Sequence, residues 1–274
     1  MNRTMPSSLS TDVFVSGLYV YPIKSCGGIS LDAAELDERG IRHDRRWMLV
    51  DETGKFVSQR TDPQLSLVKV GISADSLTVN APEMPELEIP FTPILTASML
   101  ATVWDDTVEV SPVGEEVDRW FSQFLSEPRR LVYLPDDSVR VVDPDFGRLE
   151  DRVALPDGFP LLLISEASLE DLNGRLEAPL PMNRFRPNIV VGGCGAFAED
   201  EWGYVVVGKV GMRVVKPCAR CKITTVDQDT AITSKEPLRT LATFRKRGGE
   251  VLFGQNLIHE EAGTLRVGDV LRRA

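Results

Sequence analysis

Two cysteines that lie three positions apart, Cys218 and Cys221, are the side chains of this sequence best suited to chemistry. Three cations lie beside them: Lys216, Arg220 and Lys222. Adjacent positive charge favours the thiolate form of a cysteine, which binds soft metals and attacks sulfur. The pattern predicts reactive sulfur here, and it is compatible with a zinc site, with thiol–disulfide exchange and with a single metal–thiolate bond.

The surroundings of this pair weigh against the first two uses. A structural zinc site needs about four ligands, but the other cysteines and histidines occur singly: Cys26, Cys194, His43 and His259. A redox pair of the thioredoxin type opens a helix after a strand, whereas the β-branched residues at 223–226 favour a strand or a loop. Two partly buried, inert cysteines are the structural alternative.

Further loops place cations where they could bind an anion. Lys24 and Ser25 follow the first predicted strand and precede two glycines, which would let the backbone approach a ligand closely. Arginines occur in two other loops, at 45–46 and at 184 and 186. Arginine binds phosphate through two hydrogen bonds and stacks on flat heterocycles. Each arginine alone could be a surface charge or an ion-pair partner, but together with the cysteine these loops predict a phosphorylated cofactor whose soft end meets sulfur.

The composition limits the possible partners. The chain has 274 residues, of which 42% are hydrophobic, enough for one large or two modest domains. Its net charge of −10 argues against general binding to nucleic acid or to an anionic membrane. We find no apolar run near the roughly 18 residues that span a bilayer, and the polar N-terminus is not typical of a secretory signal. Four cysteines do not make a disulfide scaffold, so we expect reduced thiols and a cytoplasmic protein.

The elements that must position these residues are mostly strands. Short segments rich in β-branched or aromatic residues predict strands at 13–20, 47–50, 65–72 and 76–79. Turn residues predict hairpins that join 47–50 to 56–59 and 103–104 to 108–110. Apolar spacing, an N-cap at Ser165 and a closing Gly248 predict helices at 113–125, 166–172 and 238–244.

Strands outnumber helices, so we expect a mainly β fold with a few helices (α+β). The polar, acidic stretch at 136–157 lacks periodicity and separates two β-rich parts. We therefore expect a barrel-like N-terminal domain at 13–135 and a second barrel domain at 136–274, with 136–157 as the connecting segment.

With these motifs in place, the chain resembles a known family from about residue 15 to residue 271. These are the molybdenum-cofactor proteins in which an N-terminal β-barrel domain precedes a MOSC domain, including the mitochondrial amidoxime-reducing component and its bacterial relatives. The resemblance rests on separate motifs in the right order: YPIKSC (21–26), DRRW (44–47), SEASLEDLN (165–173), FRPNIV (185–190), CARC (218–221), TTVD (224–227), LFGQN (252–256) and GTLRVGD (263–269).

The resemblance implies a molybdenum–molybdopterin cofactor and assigns residues to it. Cys221 matches the catalytic cysteine that coordinates molybdenum directly, and Cys218 is not expected to be a ligand. Five residues match the positions that hold the pterin and its phosphate: Lys24, Ser25, Arg45, Arg186 and Arg220. Asn188 lies beside that pocket in the family pattern, and we expect it to contribute to cofactor binding. Gly158 and Phe159 depart from the pattern, because the family often has small hydroxyl residues there.

The resemblance also implies the reaction. The family reduces N-hydroxylated small molecules such as amidoximes, hydroxylamines and N-hydroxy bases, with electrons from a ferredoxin, a flavoprotein or a b5-type haem protein. We expect the donor to be a separate protein, because four cysteines offer no set of ligands for an iron–sulfur cluster. Two alternatives stay open: a sulfur carrier that delivers persulfide sulfur from Cys221, and a protein that binds the molybdenum cofactor without turnover.

Overall fold

The computed structural model describes residues 12–91 and 97–274. The sequence predicts a disordered lead-in at residues 1–12, of which residues 1–11 lie outside the described residues. Within the described ranges no helix is long and apolar enough to cross a membrane.

The described chain is built mainly from strands, which confirms the expected class. The strands are β1 (Val13–Val20), β2 (Ile29–Leu31), β3 (Ala33–Asp37), β4 (Gly40–Ile41), β5 (Trp47–Val50), β6 (Lys69–Ile72), β7 (Ser76–Asn80), β8 (Leu87–Pro90), β9 (Met99–Val103), β10 (Asp106–Pro112), β11 (Arg130–Tyr133), β12 (Leu161–Ser165), β13 (Ile189–Gly192), β14 (Tyr204–Val207), β15 (Val210–Ala219), β16 (Lys246–Arg247), β17 (Glu250–His259), β18 (Gly263–Arg266) and β19 (Val270–Arg273). The helices are α1 (Glu115–Leu125), α2 (Glu166–Asn173) and α3 (Leu238–Phe244). Short 3-10 helices cover Pro63–Leu67, Met182–Arg184, Ala198–Glu201 and Lys222–Thr225.

Seven strands close into a barrel that forms the larger part of the fold. They follow the order β12-β13-β1-β19-β14-β15-β17, and β17 pairs back with β12. Apolar side chains fill the interior, among them Leu18, Leu163, Ile189, Met212 and Leu257, all fully buried. Because β1 belongs to this barrel, the first described strand is built into the same sheet as β12, β13, β14, β15, β17 and β19. The domain boundary at 135/136 stays a prediction.

A second β-rich unit lies along the chain between β1 and β12. Its sheets run in the orders β5-β11-β10-β9 and β6-β7-β8. Helix α1 buries Val117, Trp120, Phe121 and Leu125 against this unit, on the face that the apolar spacing predicts. The unit therefore has an apolar core of its own, distinct from the interior of the barrel.

Two local predictions were wrong. The segment 65–72 begins with the 3-10 helix Pro63–Leu67, and only Lys69–Ile72 is a strand. Pro63 favours the helical turn because its ring fixes φ near the helical value. Residues 56–59 form no regular strand: the turn after Val50 is present, but the predicted hairpin is reduced to the isolated antiparallel bridge between Val50 and Phe56 and a hydrogen bond of 2.8 Å from Val57 N to the Leu49 carbonyl. The three predicted helices and the N-cap hydrogen bond from Ser168 N to the Ser165 side chain are present.

The strand register brings several loops to one end of the barrel. β1 runs antiparallel to β13, and β12 runs parallel to β13, so the end of β1 lies beside the starts of β12 and β13. β17 pairs with both β12 and β15, and the C-terminal end of β15 carries Cys218. Loops that are far apart in sequence therefore meet around one opening.

Candidate active site

One cavity at this end of the barrel gathers every residue that the sequence analysis assigns to the site. Its lining includes Lys24, Ser25, Arg45, Arg186, Asn188, Arg220 and Cys221. They come from four loops between position 24 and position 221, so the tertiary fold alone brings them together. Their roles in binding and catalysis stay predictions.

The cavity is positively charged although the chain as a whole is acidic. Four of its described lining residues are cationic and one, Asp157, is acidic, whereas the whole chain carries −10. A cleft lined by one sign of charge attracts ligands of the opposite sign. The cavity is therefore suited to an anion such as a phosphorylated cofactor.

Asp157 organises two cations on one side of the cavity. Its Oδ1 accepts a hydrogen bond of 2.7 Å from Lys24 Nζ, which also donates to the Leu155 carbonyl at 2.7 Å. Its Oδ2 accepts one of 2.7 Å from Arg60 Nη2, and the same nitrogen lies 3.2 Å from Cys221 Sγ. A chain of charged contacts thus runs from the buried Lys24 to the sulfur.

Burial and the charged contacts among Asp157, Lys24 and Arg60 shift the pKa of each of these groups. Burial opposes ionisation of Asp157, but Lys24 and Arg60 together hold the pKa of its carboxyl well below the usual range. Burial lowers the pKa of Lys24 to about 8, although Asp157 opposes the change. Burial also disfavours the charge on Arg60, yet Asp157 and the sulfur of Cys221 raise its pKa above the ordinary value.

Arg45 is oriented by partners on both sides. Its Nη1 donates to Asp44 Oδ2 at 2.5 Å and to Asn188 Oδ1 at 3.0 Å. Asn188 is buried and also donates from Nδ2 to the Tyr19 carbonyl at 3.2 Å. The amide of Asn188 therefore holds the guanidinium of Arg45 and ties it to β1.

Arg186 is a buried guanidinium that shares an aromatic ring with Arg45. The ring of Tyr21 lies 4.3 Å from the guanidinium carbon of Arg186 and 4.5 Å from that of Arg45. Arg186 Nη1 donates to the Cys26 carbonyl at 2.7 Å. Burial lowers the pKa of Arg186 to about 10, so the group stays charged at neutral pH. Burial raises the pKa of Tyr21 to about 12, and the phenol stays neutral.

The backbone is strained at three of the predicted site residues. Ser25, Arg45 and Arg186 have φ values of 71°, 47° and 55°, in the left-handed region that side chains other than glycine rarely adopt. Such residues cost of order 1–3 kcal/mol each and persist where the surrounding structure over-determines them. Each of these three residues stands in a loop that carries a cation of the cavity.

The two cysteines of the pair have different neighbours. Cys218 Sγ accepts a contact of 3.0 Å from Arg220 Nη1, whereas Cys221 Sγ meets Arg60. Arg220 Nη2 donates to the Phe185 carbonyl at 2.6 Å. All four cysteines are free thiols, and no group of three or more His, Cys, Asp or Glu side chains in the described residues could hold a metal ion. The geometry therefore places two thiols at the cavity, each beside a different arginine, and the described residues offer no set of zinc ligands.

The segment after Cys221 departs from the predicted strand or loop. Lys222–Thr225 is a 3-10 helix. Thr224 Oγ1 donates to the Cys221 carbonyl at 3.0 Å and Thr225 Oγ1 to the Lys222 carbonyl at 2.7 Å. These hydroxyls bond to the backbone three residues earlier and stabilise the turn against the β-propensity of the residues.

Other charged residues considered in the sequence lie elsewhere. Arg46 donates to Asp136 Oδ1 at 2.7 Å, and Arg184 lies 3.9 Å from Asp227; neither is among the described lining residues. His43 stacks on Phe91, with ring centroids 4.2 Å apart. His259 Nε2 lies 2.6 Å from the Asp37 carbonyl. Spacing alone could not show which of Arg184 and Arg186 lines the cavity, because the two arginines are only two positions apart in the sequence.

Three residues support the site that were not predicted from the sequence: Arg60, Asp157 and Arg140. Arg60 carries no local signal, because it stands in a polar loop far from the cysteines. In the segment that contains Asp157, only Gly158 and Phe159 were noted as departures from the family pattern, and both line the cavity. Arg140 donates from Nη1 to the Pro156 carbonyl at 2.7 Å and supports the same loop.

The donors of the cavity fit an anionic cofactor with a soft end. Arg220 lines the cavity, and its Nε is a buried nitrogen without a hydrogen-bond partner among the described residues. A buried donor without a partner costs about 1–3 kcal/mol, so a ligand that accepts from it would be stabilised. Phosphate and carbonyl oxygens suit these donors, and the thiol of Cys221 suits a soft metal.

We expect retention of an anionic cofactor to weaken as the pH rises through about 8, the pKa of Lys24. Above it Lys24 loses its charge, so binding an anion then requires uptake of a proton. The molybdenum retained per chain after dialysis at about pH 7 to about pH 10 measures the effect. Lys24→Arg should flatten the profile because its guanidinium stays charged; a flat wild-type profile would contradict the prediction.

Comparison with known proteins identifies both halves of the chain. Residues 13–128 match the MOSC N-terminal beta barrel domain, and residues 150–272 match the MOSC domain. The chain is 40% identical to mitochondrial amidoxime-reducing component 1 of Mus musculus, over 93% of this chain and 80% of the relative. It is 38% identical to the Homo sapiens protein of the same name, over 93% and 81%. It is 40% identical to mitochondrial amidoxime reducing component 2 of Bos taurus, over 93% and 81%.

Proposed function

This chain belongs to the MOSC-domain proteins with an N-terminal MOSC β-barrel domain, and we propose that it is a molybdenum-cofactor-dependent reductase of N-hydroxylated compounds. The observation that carries the proposal is that the thiol of Cys221 and four cationic side chains line a single cavity. The names of its relatives support the reaction class, because they are called amidoxime-reducing components. Amidoximes, hydroxylamines and N-hydroxy bases are the proposed substrates.

Some residues of the cavity would bind the cofactor directly, and others orient the residues that bind it. A bound molybdenum cofactor would supply the two-electron chemistry. Cys221 would ligate the metal through a thiolate, which suits a soft centre. The pterin and its phosphate would be held by Lys24, Ser25, Arg45, Arg186 and Arg220. Asn188 orients Arg45 through the hydrogen bond at 3.0 Å.

The overall reaction consumes two electrons and two protons. The N–O bond of the substrate breaks, the nitrogen takes the electron pair and gains one proton, and the hydroxyl oxygen takes the other proton and leaves as water. Phe159, Leu162 and Phe185 give the cavity apolar walls. Apolar walls lower the local dielectric, which strengthens the contacts of the charged groups with an anionic ligand.

Electrons would come from a separate protein, of the ferredoxin, flavoprotein or b5-type class. The net charge of −10 gives no reason to expect nucleic acid or an anionic membrane as a partner. The cytoplasmic location stays a prediction from the four free thiols, and the names of the relatives place those proteins in mitochondria.

Metal analysis and turnover test the proposal together. Protein purified from a molybdenum-replete host is expected to carry about one molybdenum per chain, as one cysteine ligand implies. With a chemically reduced viologen as donor it should convert an aryl amidoxime to the amidine. Folded protein without molybdenum would contradict the proposal, and a persulfide on Cys221 after incubation with a cysteine desulfurase would favour the sulfur carrier. Bound pterin without turnover would favour the non-catalytic protein.

A further inference from the structure

We propose that Arg60 is a positioning residue that holds the sulfur of Cys221 in place for metal binding and sets its strength as a donor. The proposal rests on the proposed function and deepens it. Arg60 stands in the loop between β5 and β6, in the N-terminal unit, whereas Cys221 follows the barrel strand β15. The N-terminal unit therefore contributes directly to the environment of the thiol.

The contact between the two residues is specific. Arg60 Nη2 lies 3.2 Å from Cys221 Sγ and donates to Asp157 Oδ2 at 2.7 Å. Asp157 is itself held by Lys24 through its other oxygen at 2.7 Å. A guanidinium fixed by a carboxylate presents its N–H to the sulfur in a set direction, as a rigid planar donor does.

An aromatic ring holds the other side of Arg60. The guanidinium carbon lies 4.6 Å from the centroid of the Trp104 ring, and Trp104 packs on Phe56 at 5.2 Å between centroids. Trp104 follows β9 in the β9–β10 hairpin and has a φ of 57°, in the left-handed region. A bulky residue held in that conformation needs surrounding contacts to keep it there.

Arg140 ties this hairpin to the loop that carries Asp157. Its Nε donates to Asp106 Oδ2 at 2.8 Å, while Nη1 and Nη2 donate to the carbonyls of Pro156 at 2.7 Å and Asp157 at 3.2 Å. Arg140 is buried. The hairpin and the loop are thus fixed to each other, and Arg60 is held between them before any ligand binds.

This arrangement has the form of a support for a metal ligand. Groups that hydrogen-bond to a ligating residue orient it and tune the metal. A hydrogen bond to a thiolate withdraws electron density from the sulfur, so its loss should lower the potential of the bound metal. A residue that only stabilised the fold would change neither this potential nor the environment of the sulfur.

The first test compares Arg60→Gln with Arg213→Gln in the cofactor-loaded protein. Arg213 is a matched control: its side chain is 17% exposed against 18% for Arg60, and it also lies 2.7 Å from an aspartate, Asp151. For Arg60→Gln we expect kcat per bound molybdenum to fall about 10- to 100-fold, with KM unchanged and a lower reduction potential. Arg60→Lys should recover part of both, because it keeps the charge but not the fork.

Two outcomes of this test would overturn the proposal. One is an Arg60→Gln protein whose activity per molybdenum and reduction potential equal those of the control. The other is a loss of activity that disappears after correction for molybdenum content, which would make Arg60 a residue for cofactor retention only.

The second test needs no cofactor, so it separates this proposal from the proposed function. Metal-free protein labelled with ¹³C at the cysteine Cβ atoms is examined by NMR, with the Cys221 signal assigned from Cys221→Ser. Arg60→Gln should shift or broaden that signal, and Arg213→Gln should leave it unchanged. An unchanged Cys221 signal in Arg60→Gln would refute the contact, whereas a shifted signal in a chain that never binds molybdenum would leave the contact intact and reject the function.

Discussion

Replacement of Cys221 by serine is expected to abolish the reduction of N-hydroxylated substrates. The serine hydroxyl is a hard, weakly acidic ligand, and it cannot replace a thiolate at a soft metal. Because Cys221 is the proposed ligand itself, the fall in kcat should exceed the roughly 100-fold upper range for residues that only support a ligand. Turnover of an aryl amidoxime with a reduced viologen as donor measures the loss.

Cys218→Ser is the matched control for this variant. Cys218 lies in the same cavity, but its sulfur contacts Arg220 at 3.0 Å and not Arg60. We expect it to keep most of the activity and the bound molybdenum. An equal loss of activity in both variants would show that the two cysteines act as a pair. Retained activity in Cys221→Ser would contradict a metal–thiolate bond at Cys221.

Replacement of Arg186 by methionine should separate cofactor binding from stability. Hydrogen bonds to charged groups contribute about 1.5–3 kcal/mol, so we expect the affinity for the cofactor to fall about 10- to 100-fold. The metal-free fold should change little, because burial already lowers the pKa of Arg186 to about 10 and an apolar side chain relieves this cost while the bond to Cys26 is lost. Molybdenum content and urea unfolding of metal-free protein measure the two effects.

Arg184→Met provides the comparison two positions away. Arg184 is also buried, and burial lowers its pKa, but it is not among the described residues that line the cavity. We expect its molybdenum content to stay at the wild-type level. A similar loss of molybdenum in both variants would mean that buried positive charge in this loop supports the site only indirectly.

The sequence determined the class of the fold, its helices and the set of candidate residues. Local signals were sufficient there: the apolar spacing of α1, the N-cap at Ser165 and the cations around the cysteine pair all act over a few residues. The same local signals predicted too long a hairpin at 56–59, where the structure keeps only the isolated bridge between Val50 and Phe56. The pairing of β5 with β11, from Val50 with Arg130 to Trp47 with Tyr133, joins residues 80 to 86 positions apart, which local signals do not report.

Only the tertiary structure decided how the site is assembled. Barrel closure places the loops before β12 and β13 beside the end of β1, which turns scattered cations into one positive cavity. It also brings Arg60 to the sulfur of Cys221 and Asp157 to Arg60. These contacts join residues that are 97 and 161 positions apart. No periodicity or spacing reports such distances, because they depend on which strands pair and in which register.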